Sequence, residues 1–141
     1  MGFRVKIEGA ETIDLGIESV ETVKFKTDTP EDTNARSKDV GSTMIITGKI
    51  LTAVDGDAFD NTKKMGTWSL VPAEKADCYR KATVEVISAD QVIRKITYPN
   101  AFVIDYKEHF GDTEGIGTFE LVIRQKKDKL NLVTVEGGYS A

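Results

Sequence analysis

Hydrophobic and polar residues alternate with period two along most of this chain. In FRVKIE, Phe3, Val5 and Ile7 fall on one face and Arg4, Lys6 and Glu8 on the other. VETVKFKT sets Val23 and Phe25 between Glu21, Lys24 and Lys26, with Val20 out of phase. TMIITGKILT is apolar enough for a strand buried on both faces over part of its length. ATVEVIS and QVIRKITY come next, joined by a short hairpin turn at Ala89 and Asp90. AFVIDYKE, TFELVIRQ and LNLVTVE follow, the last two separated by the polar turn KKDK. Read this way, the chain predicts eight short strands rich in β-branched and aromatic residues. Tyr98, Pro99 and Asn100 signal a turn or bulge, and Pro99 predicts a strand end or an edge there.

Two segments break the rhythm. DGDAFDNTKKMGTWSLVPAEKADC alternates weakly. Asp57 suits a helix cap, and Phe59, Thr62 and Met65 would lie on one inward side with Trp68 close by. Gly66 weakens the helix near its end and Pro72 bounds it, so one short helix is expected over about residues 58–66, plugging or flanking a barrel. The second segment, residues 27–39, holds no aliphatic side chain larger than Ala35. It is a long polar loop near the N-terminal third, carrying Asp28, Glu31, Asp32, Arg36 and Lys38. Loops of this length in a compact domain are usually functional or disordered, and this one suits a contact arm.

Composition narrows the classes. The length of 141 residues fits one domain, residues 1–141, with enough buried surface to need no metal or disulfide staple. Acidic residues outnumber basic ones, 23 to 19. Proteins that grip nucleic acid through phosphates usually carry a basic excess, so specific nucleic-acid binding is not expected. The single cysteine, Cys78, permits no intramolecular disulfide. MGFRVKIEGAE shows no apolar run after its charges, and no stretch is long enough to span a membrane, so neither a signal peptide nor a membrane anchor is expected. Lys6 in place of Ser or Thr argues against myristoylation.

Chemistry-bearing patterns are few. One His and one Cys, His109 and Cys78, do not supply a zinc site. Asp112 and Glu114 in DTEGIG lack the spaced oxygen ligands of a calcium loop and read as an exposed acidic turn. His109 sits at a predicted strand end without a nucleophile elbow and reads as a surface residue, not a base. Cys78 lies among basic residues, which favour a thiolate, but it reads as a small, partly buried residue leading into a strand. The glycines of GIG at 115–117 lack the strand-to-helix setting of a dinucleotide site and read as a turn. Phe3, Phe25, Phe102, Phe110 and Phe119 read as core, not as a stacking platform. No cofactor, metal or enzymatic activity is expected.

The stretch from residue 79 to 125, YRKATVEVIS…QVIRKITYPNAFVIDYKEHF…GTFELVIRQKK, resembles the second half of the tube proteins of contractile injection machines. These are the haemolysin-coregulated protein (Hcp) of type VI secretion and the tail-tube proteins of phages and phage-like particles. The matching residues are Ile96, Tyr98, Asn100, Ala101, Val103 and Tyr106, then Phe119, Leu121 and Ile123. The first half matches in layout only. Residues 57–78 match no signature of the family, and the chain continues with one further strand.

The resemblance implies a mainly β fold: a small barrel of two packed antiparallel sheets with one short flanking helix. It implies a structural subunit whose six copies form a ring, joined partly by strand pairing, with rings stacked into a hollow tube that a sheath drives through a target envelope. Partners would be the chain itself, then sheath, baseplate or spike proteins, with cargo in the lumen. Assembly would take place in the bacterial cytoplasm, followed by export through contraction. On this reading Asp28, Glu31 and Asp32, with Arg36 and Lys38 beside them, meet Lys126, Lys127 and Lys129 across subunits. A monomeric barrel that binds a small ligand or a protein is the alternative.

Overall fold

The computed structural model describes residues 1–28, 41–51, 60–112 and 115–138. Among these, eight strands form one antiparallel sheet: β1 (Gly2–Glu8), β2 (Thr12–Leu15), β3 (Val20–Asp28), β4 (Gly41–Lys49), β5 (Arg80–Ser88), β6 (Gln91–His109), β7 (Thr118–Gln125) and β8 (Thr134–Gly137). One helix, α1 (Asn61–Ser69), lies between β4 and β5. The strand order is β2-β1-β5-β6-β7-β4-β3, with β8 beside β6. The mainly β class expected from the alternation is what the chain adopts.

The period-two pattern builds the core directly. Val5 and Ile7 of β1, Ile13 and Leu15 of β2, Met44 and Ile46 of β4, and Leu121 and Ile123 of β7 are all buried in one cluster. Each such side chain stabilises the fold by about 1.5–3 kcal/mol relative to exposure. Tyr98 lies at the centre, fully buried, and its hydroxyl shares a 2.6 Å hydrogen bond with Ser42 Oγ. That bond satisfies both polar groups, which would otherwise be costly to bury.

β6 organises the rest. At 19 residues it runs through both halves of the sheet. Its first half pairs with β5 on one side and β8 on the other, while its second half pairs with β7. Three bulges bend it. The first falls at Ile93, between Val92 opposite Ile87 and Arg94 opposite Val86. The second falls at Pro99 and Asn100, where Tyr98 opposes Ala82 but Ala101 opposes Arg80. The third falls at Ile104, between Val103 opposite Ile123 and Asp105 opposite Val122. Each inserts one residue and flips the inward phase, so the core-facing positions are Ile96, Tyr98, Ala101, Val103 and Tyr106. A further bulge, at Glu21 of β3, accounts for Val20 being out of phase with Val23 and Phe25.

Several expectations are corrected. The sheet is continuous and does not close into a barrel of two sheets: among the described residues no strand pairing joins β2 to β3. The turn at 16–19 folds tightly on itself, with Ser19 and Val20 N–H both donating to the Gly16 carbonyl, and Ser19 accepts from Lys49 N–H across at β4. α1 seals the side of the opening next to β2. It starts at Asn61 and not near 58, because Asp60 sits in the left-handed region (φ 48°) and interrupts helical backbone there. It passes Gly66 because Trp68 anchors its last turn, buried and donating from Nε1 to the Cys78 carbonyl at 3.0 Å. Asp57 and Phe59 lie outside the described residues. Pro99 does not end a strand, so the two strands expected on either side of it are one. The last expected strand is shorter, because residues up to Leu132 form a 3-10 segment, Lys127–Leu132. β2 was not expected at all.

Candidate assembly surfaces

The three expected lysines fall together on the 3-10 segment and the residue before it, between β7 and β8. Lys126 Nζ lies 5.0 Å from the centre of the Tyr79 ring and 3.9 Å from Asp128 Oδ1. Tyr79 in turn packs edge-on against Phe102 at 5.8 Å. Gln125 fixes this segment. Its buried amide accepts from Asn100 N–H at the bulge (2.8 Å) and donates to the Lys129 carbonyl (2.9 Å). On the acidic side, Asp28 ends β3 opposite Gly41. β4 pairs with β7 so that Thr43 opposes Arg124. Asp28 and the lysines therefore belong to the same end of the sheet. Glu31, Asp32, Arg36 and Lys38 lie outside the described residues.

The residues weighed for chemistry take structural places. His109 is the exposed last residue of β6, opposite Thr118. Cys78 is buried, and burial followed by the Asp77 carboxylate pushes its thiol above the ordinary value, against the smaller opposite pull of Lys126. A reactive thiolate needs the reverse. Among the described residues no three His, Cys, Asp or Glu side chains gather as a metal-holding group, and Glu114 lies outside them. Gly117 connects β6 to β7, its carbonyl accepting from Ile50 N–H, and the Phe110 ring lies where its Cβ would stand. No described helix is long and apolar enough to cross a membrane. Of the phenylalanines, Phe119 is buried and Phe3 and Phe25 pack against the core, but Phe110 is 67% exposed, contrary to expectation.

Four backbone edges shape the surface. β2 is an edge strand, but α1 covers it: Asn61 Oδ1 accepts from Asp14 N–H at 3.0 Å and Lys64 Nζ donates to the Thr12 carbonyl at 3.1 Å. β3 and β8 each have one side with no described strand beside it. So does the second half of β6, on the side away from β7. There a groove of about 640 Å³ runs between β6 and α1, lined by Ile50, Gly66, Leu70, Tyr106, Glu108 and Phe110 among others. The Tyr106 hydroxyl donates to Glu108 at 2.6 Å, with the Thr62 carbonyl at 3.3 Å. Burial, then Glu108, hold this phenol well above its ordinary pKa, so it stays a proton donor. Sequence reasoning missed this groove. The available signals were Gly66 inside a helix and Phe110 just past a strand end.

No family model and no curated protein matches the sequence. Solved structures do. Hcp1 from Flavobacterium johnsoniae aligns over 97% of this chain and 98% of its own at 15% identity, with a TM-score of 0.54. Hcp1 from the E. coli EAEC 042 pathovar aligns over 97% and 99% at 8% identity, TM-score 0.57. A chain in the sheath–tube complex of the PVC extracellular contractile injection system, in its extended state, aligns over 97% and 89% at 13% identity, TM-score 0.53. At such identities the likeness is one of fold, and it spans nearly the whole of each chain. From its first strand to its last, this chain is built on the Hcp fold.

Proposed function

We propose that this chain is a structural subunit that assembles with copies of itself, six to a ring, into the inner tube of a contractile injection machine. The observation that carries this reading is the Hcp fold over nearly the entire chain. The sides of β3, β8 and the second half of β6 that have no described strand beside them support it. Unpaired edges are aggregation hazards in a monomer and become useful when a neighbour covers them. A head-to-tail contact that closes gives a ring with distinct top and bottom faces. Sheath, baseplate and spike proteins are the expected partners, with cargo in the lumen. Assembly belongs to the bacterial cytoplasm in this reading, and contraction carries the tube outward.

The test is particle size by light scattering after gel filtration, with negative-stain images of the same peak. Six-fold annuli or stacked tubes are the expected result. A strict monomer at every concentration overturns the reading in favour of a monomeric binding domain. That alternative expects a closed ligand barrel, and among the described residues no strand pairing closes the sheet.

At the level of contacts, the acids Asp28, Glu31 and Asp32 of one copy meet Lys126, Lys127 and Lys129 of another. Arg36 and Lys38 belong to the same arm. Since Asp28 and the lysines share one end of the sheet, these pairs suit copies standing side by side. Each exposed pair contributes only about 0.2–1 kcal/mol, but the contribution repeats around a ring.

A further inference from the structure

We propose that the groove between α1 and the free side of β6 seats residues 132–135 of a neighbouring copy. This rests on the tube reading and names one of its contacts. The first observation is Gly66. It lies inside α1, where glycine costs about 1 kcal/mol relative to alanine. Among the described residues nothing requires it: an added Cβ would stand 3.6 Å from Tyr106 and 4.0 Å from Glu108, ordinary contact distances. The missing methyl therefore leaves the groove open for something outside the subunit to approach the helix.

The second observation is what surrounds the groove. Leu70 is 82% exposed and Phe110 67%, and both line it. Large apolar side chains at such exposure, clustered around a concave site, mark an interaction surface. The third is where the matching patch lies. In the row β8-β6-β5-β1-β2, β8 is one edge, and β2, bonded to α1, is the other. Leu132 and Val135 are both about half exposed at the β8 edge. Val135 stands opposite Ile96, a core residue, so it continues the core side of the sheet with no described strand beyond it. One subunit thus presents an apolar ridge at one edge of the row and an apolar groove at the other. Two different, complementary patches are what a head-to-tail ring contact needs. Rim charges agree in sign: Glu108 and Asp60 border the groove while Lys129 precedes the ridge, and Lys63 borders the groove while Glu136 follows Val135.

The test uses the full chain with Leu70→Cys and Val135→Cys together, oxidised after assembly and run on a non-reducing gel. The expected result is a ladder of covalent oligomers ending at the closed ring, with neither single variant passing the dimer. The control pair Leu70→Cys with Arg4→Cys, which places its second thiol on the exposed face of β1, gives no ladder. In parallel, Gly66→Ala is expected to raise the melting temperature of the unassembled protein while raising the concentration needed for assembly about tenfold. Rings visible by negative stain without a ladder, and with Gly66→Ala assembling like the parent, overturn this contact and leave the tube reading standing. A parent chain that stays monomeric at every concentration removes both.

Discussion

Asp77 and Arg80 form the tightest ion pair described, 2.6 Å between Oδ2 and Nη2, and each has a second anchor. Asp77 Oδ1 accepts from Ala10 N–H, and the buried Arg80 lies over the Trp68 ring at 5.4 Å. Together they tie the β1–β2 turn and the end of α1 to the start of β5. The Arg80 bond first, then the Ala10 N–H, lower the Asp77 pKa in the folded protein. A carboxylate depressed on folding contributes stability that is complete above its unfolded pKa, about 4, and is lost as pH falls through the folded value. Urea melts of the unassembled protein should therefore lose stability on acidification below about pH 4. Asp77→Asn should flatten that part of the profile and lower the plateau at neutral pH. An Asp77→Asn profile parallel to the parent's would show that the pair is not the acid-sensitive element.

At the scale of elements, β7, the 3-10 segment and β8 form one line along β6, and Gln125 is the clasp that bends it. Its amide satisfies one backbone N–H and one carbonyl that strand pairing leaves over. Gln125→Leu fits the volume but strands both groups, at about 1–3 kcal/mol each. The expected outcome is a loss of about 2–6 kcal/mol in chemical denaturation, with β8 amides exchanging faster while those of β1 change only with global stability. Such links are invisible to local patterning, since Asn100 and Gln125 are far apart in sequence. What patterning did reveal was the elements with clean alternation: β7 falls where TFELVIRQ predicts it, and Ala89 and Asp90 form the expected hairpin turn, both at positive φ. It failed at Pro99 because proline usually ends a strand. Here a bulge already leaves a residue unpaired, so the missing N–H costs no ladder bond. The steps from Tyr98 to Ala101 and from Val103 to Tyr106 carry the signature of that bulge and the next. β2 was missed because four residues give only two inward positions, too few to stand out as a period.

At the scale of the molecule, the alternation identified the β class, whereas closure depended on contacts that no period encodes. Whether β2 meets β3 depends on the turn at 16–19 and on α1, whose Asn61 and Lys64 occupy the edge of β2. The candidate contacts were legible in the same partial way. The lysines stand together as their spacing suggests, but Phe110 was assigned to the core because a strand-flanking aromatic usually belongs there. If the acid and lysine arms hold copies together, tubes should shorten at high salt, where exposed pairs are screened. Reversing the charges of Asp28, Glu31 and Asp32 together should shorten them at low salt as well. Tube lengths in negative stain that ignore both treatments would remove the arms from the assembly while leaving the apolar contact in place.

The course of β6 has a mechanical consequence. Most two-layered β folds join their layers through loops and side-chain contacts, which slide or peel under load. Here a single strand of 19 residues belongs to both halves of the sheet. A force that pushes one half past the other therefore acts on the ladders that β6 makes with β5 and β7 together, because both are anchored on one continuous strand. The bulges at Pro99–Asn100 and at Ile104 bend that spine where its partners change. If copies stack as proposed, β6 is the covalent link through which load would pass between the two halves of each one.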